Sequence, residues 1–161
     1  MKQKEQYSVN QVSIFNIKDL MSICRTLYLA GKDMSARYNL NHWNNSYFKE
    51  WIIVILCVLK NRLYLVNLDK LPVATFQLKK IGSAMRFEKL ATNPQYMNKG
   101  IGRYCLEAME QIAKSEGCTN LLCEVYGKSE HAKAFYKNNG FTVFGETKTL
   151  KYTEVKMKKE I

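Results

Sequence analysis

Residues 87–116 constrain this chain more than any other stretch. An apolar segment ending Leu90-Ala91-Thr92 runs into Asn93-Pro94, and a polar loop through Met97, Asn98 and Lys99 leads to Gly100-Ile101-Gly102-Arg103. Beyond it Ile101, Cys105, Leu106, Met109, Ile112 and Ala113 recur at helical spacing until Gly117, which predicts a strand, a loop and a long helix over 100–116. Such a junction leaves backbone N–H groups unpaired at the positive end of a helix, a natural cradle for phosphate. Gly100 and Gly102 remove side chains that would keep a ligand from the backbone, and Lys99 and Arg103 add positive charge beside it. Cys105 stands where a dinucleotide fingerprint has its third glycine, and no Gly-Lys-Ser/Thr follows. Both common nucleotide readings are therefore disfavoured.

A chain of 161 residues suits a single domain over 1–161, with no repeat, low-complexity tract or linker. The cysteines, at 24, 57, 105, 118 and 123, are odd in number and form no Cys-x-x-Cys pair. That argues against a disulfide framework or a zinc site and for a reducing compartment. The polar residues 1–7 carry no signal-peptide pattern. The longest apolar run, residues 51–59, is about half of what a membrane helix needs. A cytoplasmic protein without a membrane partner is expected. The net charge of +11 reads as a solvated, lysine-rich surface; no Arg-rich run or aromatic–basic RNA motif accompanies it, so nucleic acid is an unlikely partner. His42 and His131 are the only histidines, and no cluster suits a metal.

The order of elements follows from periodicity and turn residues. Residues 12–17 alternate as a first strand; Asp19 could cap a helix that closes near Gly31, with residues 34–45 as a loop or broken helix. Residues 46–60 have strand composition but helix length and polar ends, and read as a buried helix. Strands are expected over 62–68, 73–80 and 85–92, joined by turns at Asp69-Lys70 and Ile81-Gly82-Ser83. After the helix over 100–116 come a short apolar strand over 121–125, a helix begun by Ser129, and an antiparallel pair over 141–146 and 152–157. Hairpins combined with a strand–helix–strand crossover give an α/β mixed sheet flanked by helices.

A second motif completes the pattern. Ala132-Lys133-Ala134-Phe135-Tyr136-Lys137-Asn138-Asn139-Gly140-Phe141 sets an aromatic pair on a helix that ends at glycine and restarts as a strand. The two blocks, at this spacing, resemble the GNAT superfamily of acetyl-CoA-dependent N-acetyltransferases. Its signatures are a strand, Arg/Gln-x-x-Gly-x-Gly/Ala, a helix, a strand, and an Ala-x-x-x-Tyr-x-x-x-Gly-Phe unit. The match is clearest over residues 87–144. The resemblance implies a twisted, mostly antiparallel sheet of six to seven strands with about four helices, and acetyl transfer from acetyl-CoA, a cosubstrate, to a primary amine, with no metal. It also admits a homodimer.

By that resemblance the amides of Met97, Asn98, Lys99, Gly100, Ile101, Gly102 and Arg103 would hold the CoA pyrophosphate. The family usually has Arg or Gln where this chain has Met97, so the loop loses a polar side chain. The strand before the loop would bulge, and the backbone of Leu90, Ala91 and Thr92 would bond the pantetheine arm and the acetyl carbonyl. Tyr136 matches the tyrosine that protonates the departing thiolate, an acid of suitable strength; its alternative is packing beside Phe135. Ser129, where the family often has Asn, is first a helix cap and second a CoA contact. Glu88, two residues before Leu90 and so on its face, is the candidate base; it could instead pair with Arg86 or Lys89. His42, beside Trp43, lies in the loop that usually shapes the acceptor pocket, though a structural or idle role is the expectation for it as for His131. Two further classes stay open: a catalytically silent acyl-CoA-binding or regulatory protein with this fold, and a basic RNA- or ribosome-associated protein supported only by charge.

Overall fold

The computed structural model describes residues 6–161; residues 1–5, within the polar N-terminal segment, lie outside it. The elements are β1 (Tyr7–Gln11), α1 (Ile17–Tyr38), α2 (Tyr47–Lys60), β2 (Arg62–Leu68), β3 (Leu71–Ile81), β4 (Ala84–Thr92), α3 (Ile101–Ser115), β5 (Asn120–Tyr126), α4 (Glu130–Asn138), β6 (Thr142–Lys148) and β7 (Thr153–Glu160). Seven strands form one sheet in the order β1-β2-β3-β4-β5-β7-β6. The β1–β2, β2–β3, β5–β7 and β6–β7 pairs are antiparallel, whereas β4 and β5 are parallel. The helical crossover between β4 and β5 is what a parallel pair requires. The mixed, mostly antiparallel sheet with four helices is the architecture expected above. Among the described residues no helix is long and apolar enough to cross a membrane.

The chain divides into two compact units, one of residues up to Leu78 with Lys89–Leu106, the other of Lys79–Glu88 with Glu107–Ile161. In the first, Leu20, Ile23, Cys24 and Leu27 of α1 and Val54 of α2 pack with Leu63, Leu65 and Ala91. In the second, Met85, Phe87, Leu121, Cys123, Val125 and Met157 are the buried alternate residues of their strands, each worth roughly 1.5–3 kcal/mol when fully buried. The cysteines are free, and burial pushes the Cys105 and Cys123 thiols up to about 12.

Three local expectations are corrected. The first strand is Tyr7–Gln11 rather than 12–17: it pairs with β2 from Tyr7↔Leu68 to Gln11↔Tyr64, and Val12 only adds a bond to the Leu63 carbonyl at 2.8 Å. The cap of α1 is Asn16, whose side chain accepts the Asp19 N–H at 3.2 Å and donates to the Asp19 carboxylate at 2.7 Å. Asp19 sits in the first turn, where its charge suits the helix dipole. Finally, α1 does not close at Gly31 but continues to Tyr38 and ends at left-handed Asn39, φ 54°. Gly31 is there for space, since a Cβ on it would lie 2.1 Å from the Trp43 carbonyl oxygen.

Candidate active site

In the first unit the segment after β4 is fastened at both ends. The Asn93 N–H donates to the Val73 carbonyl at 2.8 Å, and the Asn93 side chain accepts from the Gln95 N–H at 3.1 Å. This opens a 3₁₀ turn over Pro94–Tyr96, where proline is suited because it has no N–H to satisfy and its φ is preset. The Met97 N–H closes the turn on the Pro94 carbonyl at 3.3 Å. Asn98 and Gly100, at φ 61° and 77°, reverse the chain, and α3 starts at Ile101, whose buried side chain seats it. The bond from the Tyr104 N–H to the Gly100 carbonyl, 3.0 Å, belongs to the first turn. The amides that open this turn, Ile101 and Gly102, precede the first intrahelical bond. A Cβ on Gly100 would meet nothing within 4 Å, so the glycine serves the positive φ and the space over the loop is open. Lys99 places its ammonium 5.4 Å from the centre of the Tyr96 ring, and the Arg103 side chain is exposed.

Leu90, Ala91 and Thr92 close β4, with Ala91 buried and its two neighbours half-buried. Just before them Lys89 has a left-handed backbone, φ 56°, an irregularity of the kind a bulge makes. The alternation that would set Glu88 and Leu90 on one face therefore does not carry across Lys89.

In the second unit Glu88 accepts an ion pair from the Arg86 guanidinium at 2.8 Å, the bland alternative weighed for it above. The parallel ladder pairs Ala84, Met85 and Arg86 with Asn120, Leu121 and Leu122; among the described residues it stops there although both strands run on. Tyr136 lies half-buried on α4, its ring centre 5.6 Å from Phe87, 5.5 Å from Phe141 and 5.3 Å from Phe135. Ser129 takes the cap position of α4 but makes no side-chain capping bond, a correction to its expected first role. Its N–H instead donates to the Tyr126 carbonyl at 2.8 Å, and the residue is 3% exposed. His131 is half-buried, and burial pushes its pKa down.

Glu154 is an ionisable residue that sequence reading missed. Burial pushes its carboxyl above the usual carboxylate range, the Glu124 and Glu88 carboxylates push it further, and Arg86 offsets part of this. Alternation was the available signal: Val155 and Met157 are buried, which turns Glu154 to the other face of β7. Among the described residues no group of three or more His, Cys, Asp or Glu could hold a metal ion.

The comparisons with known proteins agree on the architecture. Residues 22–141 match the family model described as Acetyltransferase (GNAT) family. The fold is similar to a PaiA N-acetyltransferase from Thermoplasma acidophilum solved in complex with coenzyme A, at 19% identity, covering 97% of this chain and 99% of that one, with a TM-score of 0.79. It is also similar to the ribosomal-protein-S18-alanine N-acetyltransferase from Escherichia coli, at 16% identity, 97% and 94% coverage and a TM-score of 0.73. A putative streptothricin acetyltransferase from Bacillus anthracis, solved in complex with acetyl coenzyme A, shares 18% identity over 63% of this chain and 62% of that one, with a TM-score of 0.58. No curated protein matches the sequence.

Proposed function

The chain belongs to the GNAT acetyltransferase family, and from that premise we propose that it moves the acetyl group of acetyl-CoA onto a primary amine. The acceptor, a small-molecule or peptide amine, attacks the thioester directly in a ternary complex held by one cytoplasmic domain over residues 1–161. The junction over residues 90–103 carries this reading. An irregular strand end, a loop with two left-handed residues and an open helix start present amides to a polyanion. Two enzymes of similar fold were solved with coenzyme A or acetyl-CoA bound.

In this reading the amides of residues 98–102 hold the pyrophosphate, the Met97 N–H being committed to the Pro94 carbonyl; Lys99 and Arg103 add positive charge, and the backbone of Leu90, Ala91 and Thr92 orients the thioester. The amine nitrogen attacks the carbonyl carbon, a C–N bond forms and the C–S bond breaks. Glu88 takes the proton that the nitrogen must lose, and Tyr136 gives its hydroxyl proton to the leaving sulfur. Buried Ser129, whose hydroxyl makes no capping bond, is the remaining CoA contact of this reading. A silent acyl-CoA-binding protein is the second reading, supported by Met97 in the loop and by the Arg86 pair on Glu88.

Thermal unfolding with acetyl-CoA, and with NADH and ATP as controls, tests the proposal. Ligand at about a hundred times its dissociation constant adds roughly 2.7 kcal/mol. A rise with acetyl-CoA alone, lost in Gly102→Val, is expected; amine-dependent thiol release then separates an enzyme from a silent binder. No rise at millimolar acetyl-CoA would sink both readings.

A further inference from the structure

Lys89 differs from the other non-glycine residues of positive φ. Asn39 ends α1, Asp69 and Lys70 make the β2–β3 turn, and Asn98 lies in the loop before α3, whereas Lys89 interrupts a strand. Glycine adopts this conformation without the Cβ clash that lysine carries, so backbone geometry alone gives no reason for a lysine. Its side chain supplies one. The Lys89 ammonium stands 5.7 Å from the centre of the Trp43 indole, within reach of a cation–π attraction. No carboxylate pairs with it among the described residues.

Trp43 is itself fixed. Its carbonyl abuts Gly31 so closely that no Cβ fits between them. Around it the Lys32 ammonium donates to the Asn44 side chain at 2.7 Å, the Asn44 amide donates to the Ser35 hydroxyl at 3.1 Å, and Asn45 donates to buried Glu50 at 2.7 Å. The indole packs partly buried against the core of this unit, and the lysine that contributes the charge directly precedes Leu90, Ala91 and Thr92.

We propose that Trp43 and Lys89 select the acceptor. The indole offers an aromatic wall, and the ammonium, held by the ring and lacking a carboxylate partner, pairs with a carboxylate carried near the reacting amine. The acceptor class is then amino acids and peptide-like amines bearing a free carboxylate, with polyamines rejected by like charge. This inference rests on the acetyl-transfer reading, in which residues 90–92 orient the thioester.

The test compares the protein with Lys89→Gly and Lys89→Glu. Acceptors are the amino acids, their matched amides and spermidine, followed by CoA thiol release. Binding is read in parallel from Trp43 emission in a Trp51→Phe background, which needs no turnover. Acids should be preferred to their amides at least tenfold in kcat/KM. Lys89→Gly, which relieves the backbone, should erase that preference through KM while keeping the acetyl-CoA thermal shift, and Lys89→Glu should turn it toward spermidine. Equal treatment of acid and amide by the parent protein, in turnover and in emission, overturns the proposal, as does a preference surviving in Lys89→Gly. Loss of any acetyl-CoA shift in the parent protein sinks the transfer reading instead, and this selectivity with it.

Discussion

Tyr136 is surrounded by Phe87, Phe135 and Phe141, so its ring belongs to the packing and its hydroxyl is what distinguishes it from a phenylalanine. Tyr136→Phe keeps those ring contacts. It should leave the unfolding temperature within about 2 °C of the parent, less than the shift of 1 kcal/mol, while lowering turnover by about tenfold or more; steady-state kinetics beside a thermal scan checks both. At this scale the sequence was informative where chemistry is local. The Arg86–Glu88 pair follows from two charges two apart on a strand. The Ser129 side chain was not foreseeable: the residue sits before a helix as a cap should, yet with ψ 72° and no capping bond. Backbone torsion, which composition does not encode, decides whether a hydroxyl reaches back to the helix.

Helices and strands were legible wherever period and punctuation agreed, as in α3, bounded by Gly100 and Gly117 at φ 77° and 71°. They were misread where a residue served a distant contact. Gly31 resembles a helix stop, but it lies inside α1 because the Trp43 backbone passes against it, a tertiary reason invisible to local pattern. Gly31→Ala should therefore cost about 3 kcal/mol, the upper part of the range for overpacking and forced backbone shifts. Gly100→Ala, with open space around it, should cost only the left-handed penalty of about 1 kcal/mol. Urea midpoints of the two variants, compared side by side, test the ranking; a smaller loss for Gly31→Ala would mean the loop yields easily.

For the molecule as a whole, a mixed sheet was legible from hairpin turns and one helical crossover, while the place of β7 between β5 and β6 and the pooling of charge by strands distant in sequence were not. Glu154, Glu124 and Glu88 come from three different strands, and only the assembled sheet makes them neighbours. Because the folded state raises the Glu154 pKa, its protonated form is favoured on folding. The associated stability is present below the unfolded value and is lost as pH rises through the folded one. Glu154→Gln should thus be more stable than the parent near neutral pH, with the difference fading below about pH 4; urea unfolding at both pH values checks it. An equal difference at both would assign the effect to packing. The buried, high-pKa thiols of Cys105 and Cys123 have a practical consequence at the same scale. Thiolates are the species that disulfide reagents consume, so in the folded protein these two side chains stay chemically quiet at assay pH. A colorimetric reagent can then count coenzyme liberated by each turnover against a background these two residues do not raise, and sudden labelling of them would itself signal unfolding.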